Sequence, residues 1–151
     1  MRAILLVFLG GGVGSVLRFV LGTTLSAALA ERWPVSTTLP LHTLCINILG
    51  SGIIGVVIQL TVPFSIVSLG VSESSSASVP ILSHNGRMLL AVGFCGGFTT
   101  FSTFSLELLT LVQSGKYGFA VLYVFASVVG CLLATSLGVA VVLWWGKNFV
   151  R

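Results

Sequence analysis

Gly93-Phe94-Cys95-Gly96-Gly97-Phe98-Thr99-Thr100-Phe101-Ser102-Thr103-Phe104-Ser105 is the stretch on which the reading of this chain turns. It sits in the middle of an apolar run, from about Met88 to Val112, that is long enough to cross a bilayer. Adjacent glycines and a run of hydroxyl residues weaken a helix. Such an interruption is tolerated at membrane depth only where protein or water covers the freed backbone groups. The sequence therefore predicts a spanning helix broken near its middle, of the kind that often marks an ion site.

The rest of the chain supports a membrane setting. Of 151 residues, 56% are hydrophobic and 7% charged, against about 25% charged in soluble domains. A soluble fold of this size would lack the polar side chains to cover its surface. Three further runs read as spans, residues 3–30, 41–62 and 117–145, beside 88–112. Each takes roughly 20 residues or more, so the expectation is one all-α, four-helix transmembrane domain over residues 1–151, with no room for a soluble catalytic domain. Residues 63–87 read as a connector, flexible around Ser72-Glu73-Ser74-Ser75-Ser76-Ala77-Ser78, which has too little apolar surface to order itself.

A cleaved signal peptide is the competing reading of the start, since Arg2 precedes the run and Ala28-Leu29-Ala30 resembles a cleavage site. A signal's apolar core is only about 7–15 residues long. This one is longer and carries Arg18, so the first span is expected to stay. Glu31-Arg32-Trp33-Pro34 reads as a polar turn, and Gln113-Ser114-Gly115-Lys116 as a tight one. Trp144 and Trp145 mark an interfacial end.

Four spans put both ends on one side, with Arg2, Arg87, Lys147 and Arg151, against Arg32 and Lys116 on the other. That weak bias leaves insertion in both orientations open. A net charge of +4 without any basic run gives no reason to expect nucleic acid. Cys45, Cys95 and Cys131 lie in apolar runs without CxxC spacing and read as small hydrophobes. His42 and His84 form no metal-ligand pattern, and no GxxxxGK[ST] is present.

Helical spacing organises the polar residues. Ala126, Gly130, Ala134 and Gly138 recur every four residues as a seam for close helix contact. Beside them run Tyr123, Ser127, Cys131 and Thr135, which either bond their own helix backbone or form a water- or ion-facing track. Phe101 and Phe104 share a face. They are either lipid or core residues, or a ring pair whose positive edges face an anion, with Ser102 and Thr103 adding hydroxyls between them. Asn47 is either interhelical glue or a pore amide with two N–H donors. Arg18 sits mid-span, with no acid at comparable depth because Glu107 lies toward the far end of its run. An intramembrane guanidinium is a functional candidate, and this one favours anions.

Taken together these residues resemble the CrcB, or Fluc, fluoride channels over most of the chain. The first span has Gly10-Gly11-Gly12-Val13-Gly14 followed by Arg18. The second has Thr43-Leu44-Cys45-Ile46-Asn47 and then Gly50, and the third has the family's central run nearly intact. The resemblance implies a passive channel exporting fluoride from the cell through its inner membrane. It implies an antiparallel, dual-topology homodimer with two pores and a structural sodium ion held by the carbonyls of Gly96 and Thr99. Phe101 and Phe104 would be the ring pair and Asn47 the pore amide. Thr43, Ser102, Thr103, Tyr123 and Ser127 would form the polar track, and Cys131 departs from it where a hydroxyl is expected. Two other classes compete. A proton-coupled small-molecule exporter would want a buried carboxylate, and a non-transporting packing subunit would want a hetero-partner.

Overall fold

The computed structural model describes residues 1–33, 38–61 and 82–149. All described secondary structure is helical, in the order α1 (Arg2–Arg32), α2 (Leu41–Thr61), α3 (His84–Arg87), a π-helical segment (Met88–Cys95), α4 (Gly96–Phe98), α5 (Phe101–Gln113) and α6 (Tyr117–Phe149). Four stretches are long and apolar enough to cross a membrane: Arg2–Arg32, Leu41–Thr61, His84–Gln113 and Tyr117–Gly146. The four-span expectation holds, with the third span divided.

Several boundaries move. Helix α1 runs through Glu31 and Arg32, which are good helix formers, so the turn begins only at Trp33, whose backbone is extended. The third span starts at His84 rather than Met88, because Ser83 caps it and accepts from Gly86 N at 3.3 Å. Residues 84–87 are thus helix and not connector. The serine-rich stretch 72–78 and Val62 lie outside the described residues. Helix α6 continues past Trp145 to Phe149, where Asn148 Nδ2 donates to Trp144 O at 2.7 Å. The turn into α6 is as read: Gly115 adopts φ +71°, and the amides of Gly115 and Lys116 donate to Val112 O and Leu111 O at 3.0 and 2.9 Å.

Two glycine contacts set the packing. Along α1, Gly10 and Gly14 lie against the backbone of the π segment and α4, where any Cβ would collide with Leu89 O and Phe94 O. Gly93 answers from the other side, its missing Cβ falling 2.9 Å from Val7 O and 3.0 Å from Gly10 Cα. Backbone approach this close permits no side chain on either helix, as in other small-residue membrane interfaces. The seam read on α6 also forms. Gly130 meets Ile48, and Gly138 meets the backbone of Gly52 and Val56 on α2, with Ala134 against Gly52 between them.

The interior is small. Leu39, Phe104, Leu111, Ala120 and Tyr123 form the buried cluster, with Leu41, Leu44 and Leu108 packed on it. Ile4, Phe8, Phe19, Phe125, Leu133 and Leu137 face outward, which suits acyl chains and would be costly in water.

Candidate functional site

The break lies at Thr99 and Thr100, whose backbones are extended at φ −85°, ψ 157° and φ −147°, ψ 119°. Gly96 and Gly97 are not the break itself. Both are helical in α4, and Gly97 is glycine because Gly11 and Ser15 of α1 occupy the space of its Cβ. Helix α5 restarts with Thr100 as its cap, the Thr100 hydroxyl accepting from Thr103 N at 3.2 Å.

Asn47 holds the break from α2. Its Oδ1 accepts from Thr100 N at 2.9 Å and its Nδ2 donates to Thr100 O at 3.1 Å. A continuous helix would have sent the Thr100 N–H to Gly96 O; here it goes to Asn47, and Gly96 O loses its helical donor. The neighbouring Gly97 O is taken up from α1, accepting from Arg18 Nε at 3.1 Å and, more distantly, from Ser15 Oγ at 3.5 Å. The amide of Asn47 is therefore interhelical glue, and among the described residues its second N–H is left over for the adjoining space.

That space is a cavity of about 420 Å³ whose lining includes Asn47, Gly96, Thr99, Phe101, Phe104, Ser127 and Cys131. The two rings stand 5.4 Å apart and tilted by 39°. Phe104 is buried against Tyr123, ring centres 5.0 Å apart, whereas Phe101 is 78% exposed at the rim. Ser127 is 8% exposed, and its hydroxyl has no hydrogen-bond partner among the described residues. An unpaired buried hydroxyl is costly unless something in the cavity meets it. The stripe on α6 thus divides. Tyr123 is engaged, Ser127 and Cys131 face the cavity, and Thr135 is closed off, donating to Ser51 O and Cys131 O at 3.0 Å each.

Ser102 and Thr103 lie elsewhere than between the rings. The Thr103 hydroxyl accepts from Thr100 Oγ1 at 3.0 Å, and Ser102 Oγ is 3.2 Å from the same oxygen. Thr103 lines a second cavity, of about 570 Å³, together with Arg18, Thr23, Ser26, His42 and Thr43. The two cavities have Thr100, at the break, in common.

Glu107 lies in α5, toward the far end of its span as its spacing predicts, and rests against the first turn of α2. Thr43 Oγ1 donates to its Oε1 at 2.8 Å, Tyr123 OH donates to its Oε2 at 2.7 Å, and His42 Nε2 lies 3.4 Å from Oε1. Two residues of the expected polar track are therefore tied to a carboxylate in the packed interior, and His42, which belongs to no motif, joins them. The signal that was available is the pairing of His42-Thr43 with the lone glutamate of an apolar run. Intramembrane carboxylates are expensive and seek such partners.

Comparison with known proteins agrees with this picture. The family described as CrcB-like protein, Camphor Resistance (CrcB), matches residues 5–139. A protein of Serratia proteamaculans is 35% identical over 144 residues, covering 95% of this chain and 96% of its own length. One from Phocaeicola vulgatus is 39% identical over 139 residues, covering 92% and 97%. One from Acinetobacter baumannii is 36% identical over 145 residues, covering 96% and 97%. Each of the three bears the name Fluoride-specific ion channel FluC.

Proposed function

The chain belongs to the CrcB family, and from that premise we propose that it is a passive, fluoride-selective channel of the cell membrane. Its four spans make it a multi-pass membrane protein, in a bacterium one of the inner membrane. The work is transport rather than catalysis.

One observation carries the reading: a cavity at the broken helix that offers hydrogen-bond donors and ring edges but no carboxylate. A small anion leaving water needs its hydration replaced. The spare N–H of Asn47, the unpartnered Ser127 hydroxyl and the positive edges of Phe101 and Phe104 are what this wall supplies. Thr43, Tyr123, Ser102 and Thr103 act one step back, the first two holding Glu107 and the last two bonded to the capping hydroxyl of Thr100. Arg18 biases the neighbouring cavity toward anions.

Export then needs no energy source beyond the membrane potential, which at about −100 mV expels each negative charge with roughly 2.3 kcal/mol.

A second copy in antiparallel orientation completes the proposal. Phe101 stands exposed at the cavity rim in a single chain. A partner covering it would close the wall, and the two cavities of such a homodimer would become two pores. Gly96 and Thr99 line the cavity, and the donor that would have met Gly96 O is bound by Asn47. Their carbonyls fit a hard monovalent cation, so a sodium ion would be held there, with the partner's equivalent pair doubling the oxygen set. Bound, it would supply positive charge at the break and tie the copies together.

The test is fluoride efflux from liposomes holding the purified protein. Fluoride passing in strong preference to chloride, with flux lost in F104A, supports the channel. Equal passage of both ions, or full flux in F104A, overturns it. Glu107 is also the carboxylate that a proton-coupled exporter would need. Proton-driven efflux of an organic cation that disappears in E107Q would establish that reading instead.

A further inference from the structure

We infer that His42 is a switchable charge beside the anion path of this chain, whose protonation offsets Glu107 and makes fluoride flux rise as the solution is acidified. The inference rests on the channel reading above and concerns the second cavity, beside Arg18.

His42 occupies the first turn of α2 and lines the 570 Å³ cavity with Arg18, Thr43 and Thr103. Its Nε2 lies 3.4 Å from Glu107 Oε1. That is long for a neutral N–H···O bond, which prefers up to about 3.2 Å, yet well placed for an ion pair. The carboxylate is already held at both oxygens by Thr43 and Tyr123, so it does not depend on His42 for its position. What His42 adds is a charge that can be switched. The imidazole is 30% exposed and the carboxylate 19%, so protons reach the pair through the cavity.

The surrounding charges are few, so one proton decides the sign. From α1, Arg18 faces the cavity, and Glu31 and Arg32 follow directly on Ala30 at the end of its lining. From α5 comes Glu107. From α6 comes Tyr123, bound to Glu107, while Lys116 just before that helix donates to Thr38. On α2 itself the next titratable side chain is Cys45. With His42 neutral, Glu107 opposes Arg18 for any approaching anion. With His42 protonated, the pair cancels and the guanidinium acts alone. A cavity with low-dielectric walls focuses such a change and raises the local anion concentration.

The experiment measures fluoride efflux from proteoliposomes between about pH 8 and about pH 5, the range in which an imidazole takes up its proton. Leak through protein-free vesicles is subtracted at each pH. Wild type should speed up by about three- to tenfold toward acid. H42Q, which keeps a donor but cannot be charged, should stay flat. H42A serves as a second neutral variant, and whichever matches the wild-type rate at the alkaline end is the comparison. Superimposable profiles, or wild-type flux that falls toward acid, would overturn the inference. Loss of flux at the alkaline end in both variants would also overturn it, because it would assign His42 a structural task. Absence of fluoride flux from the wild type at every pH would instead refute the channel reading.

Discussion

Removing the Asn47 side chain should open the break and slow the channel together. In N47A the Thr100 N–H loses its 2.9 Å bond and the Thr100 carbonyl its 3.1 Å bond. The N–H has no helical substitute, since α4 ends at Phe98, whereas the carbonyl, as the N-cap of α5, keeps the first bond of that helix, from Phe104 N. A buried polar group left without its partner costs about 1–3 kcal/mol, and the second bond lost at the carbonyl adds about 0.5–1.5 kcal/mol, about 1.5–4.5 kcal/mol together. Asn47 lines the cavity, and water entering in its place recovers part of that, which favours the lower end, about 2–3 kcal/mol. At 1.4 kcal/mol per factor of ten, local opening at Thr100 should become about 30- to 150-fold more frequent. Hydrogen–deuterium exchange in a peptide spanning the break would report this as faster uptake there, with α6 unchanged, while fluoride efflux falls.

The aspartate variant separates the two tasks of that amide. N47D keeps an acceptor for Thr100 N but gives up the donor to Thr100 O and adds a negative charge to the wall. Exchange of the Thr100 amide should stay near wild type while fluoride flux falls further than in N47A. N47A with unchanged exchange and unchanged flux, or N47D conducting like wild type, would refute the reasoning.

Three other expectations follow from the same geometry. S127A removes a hydroxyl with no protein partner, so thermal stability in detergent should hold or rise slightly while efflux drops several-fold; a stable variant with wild-type flux would take Ser127 off the anion path. F104A removes a ring packed between Phe101 and Tyr123 and should cost about 3–5 kcal/mol. F101A removes a ring 78% exposed in the single chain, so it should cost a chain little stability and still lower flux at least tenfold. G97A places a methyl against the Gly11 backbone and Ser15 Oγ and should lower the melting temperature by an overpacking cost of about 1–3 kcal/mol. G12A, whose Cβ meets nothing within 4 Å, should be neutral or mildly stabilising.

The spans were legible because lipid imposes one rule on every residue of a run, and hydropathy reads that rule directly. The interruption was legible for the same reason, as a polar, glycine-rich stretch in the wrong solvent. Which residues of the run Gly93–Ser105 leave the helix was not, because its glycines and its hydroxyls both weaken a helix; the decisive residue is Thr100, which caps α5 and is held by Asn47. What Gly10, Gly14 and Gly97 do depends on which helix lies across from them, and one-dimensional spacing does not contain that. The place of Glu107 near the end of its span was legible, but its partners were not, because spacing along one chain does not say which residues of α2 and α6 lie across from it.

Arg18 shows how the packing and the site are one arrangement. A guanidinium at mid-span is tolerable only if its donors are met, and among the described residues one partner is Gly97 O, a carbonyl set free because the helix stops two residues later. Arginine reaches it because Gly10, Gly14, Gly93 and Gly97 let α1 and the first half of the third span touch backbone to backbone. Nε is one of five donors, and the cavity that Arg18 lines is where the terminal nitrogens can meet water. A side chain anywhere along that seam would push α1 outward and lengthen a bond already at 3.1 Å. The cation would then have to find water or lipid headgroups instead. The glycines that look like helix breakers in the sequence are thus what fixes a positive charge beside the break, and the break supplies the carbonyl that holds it there.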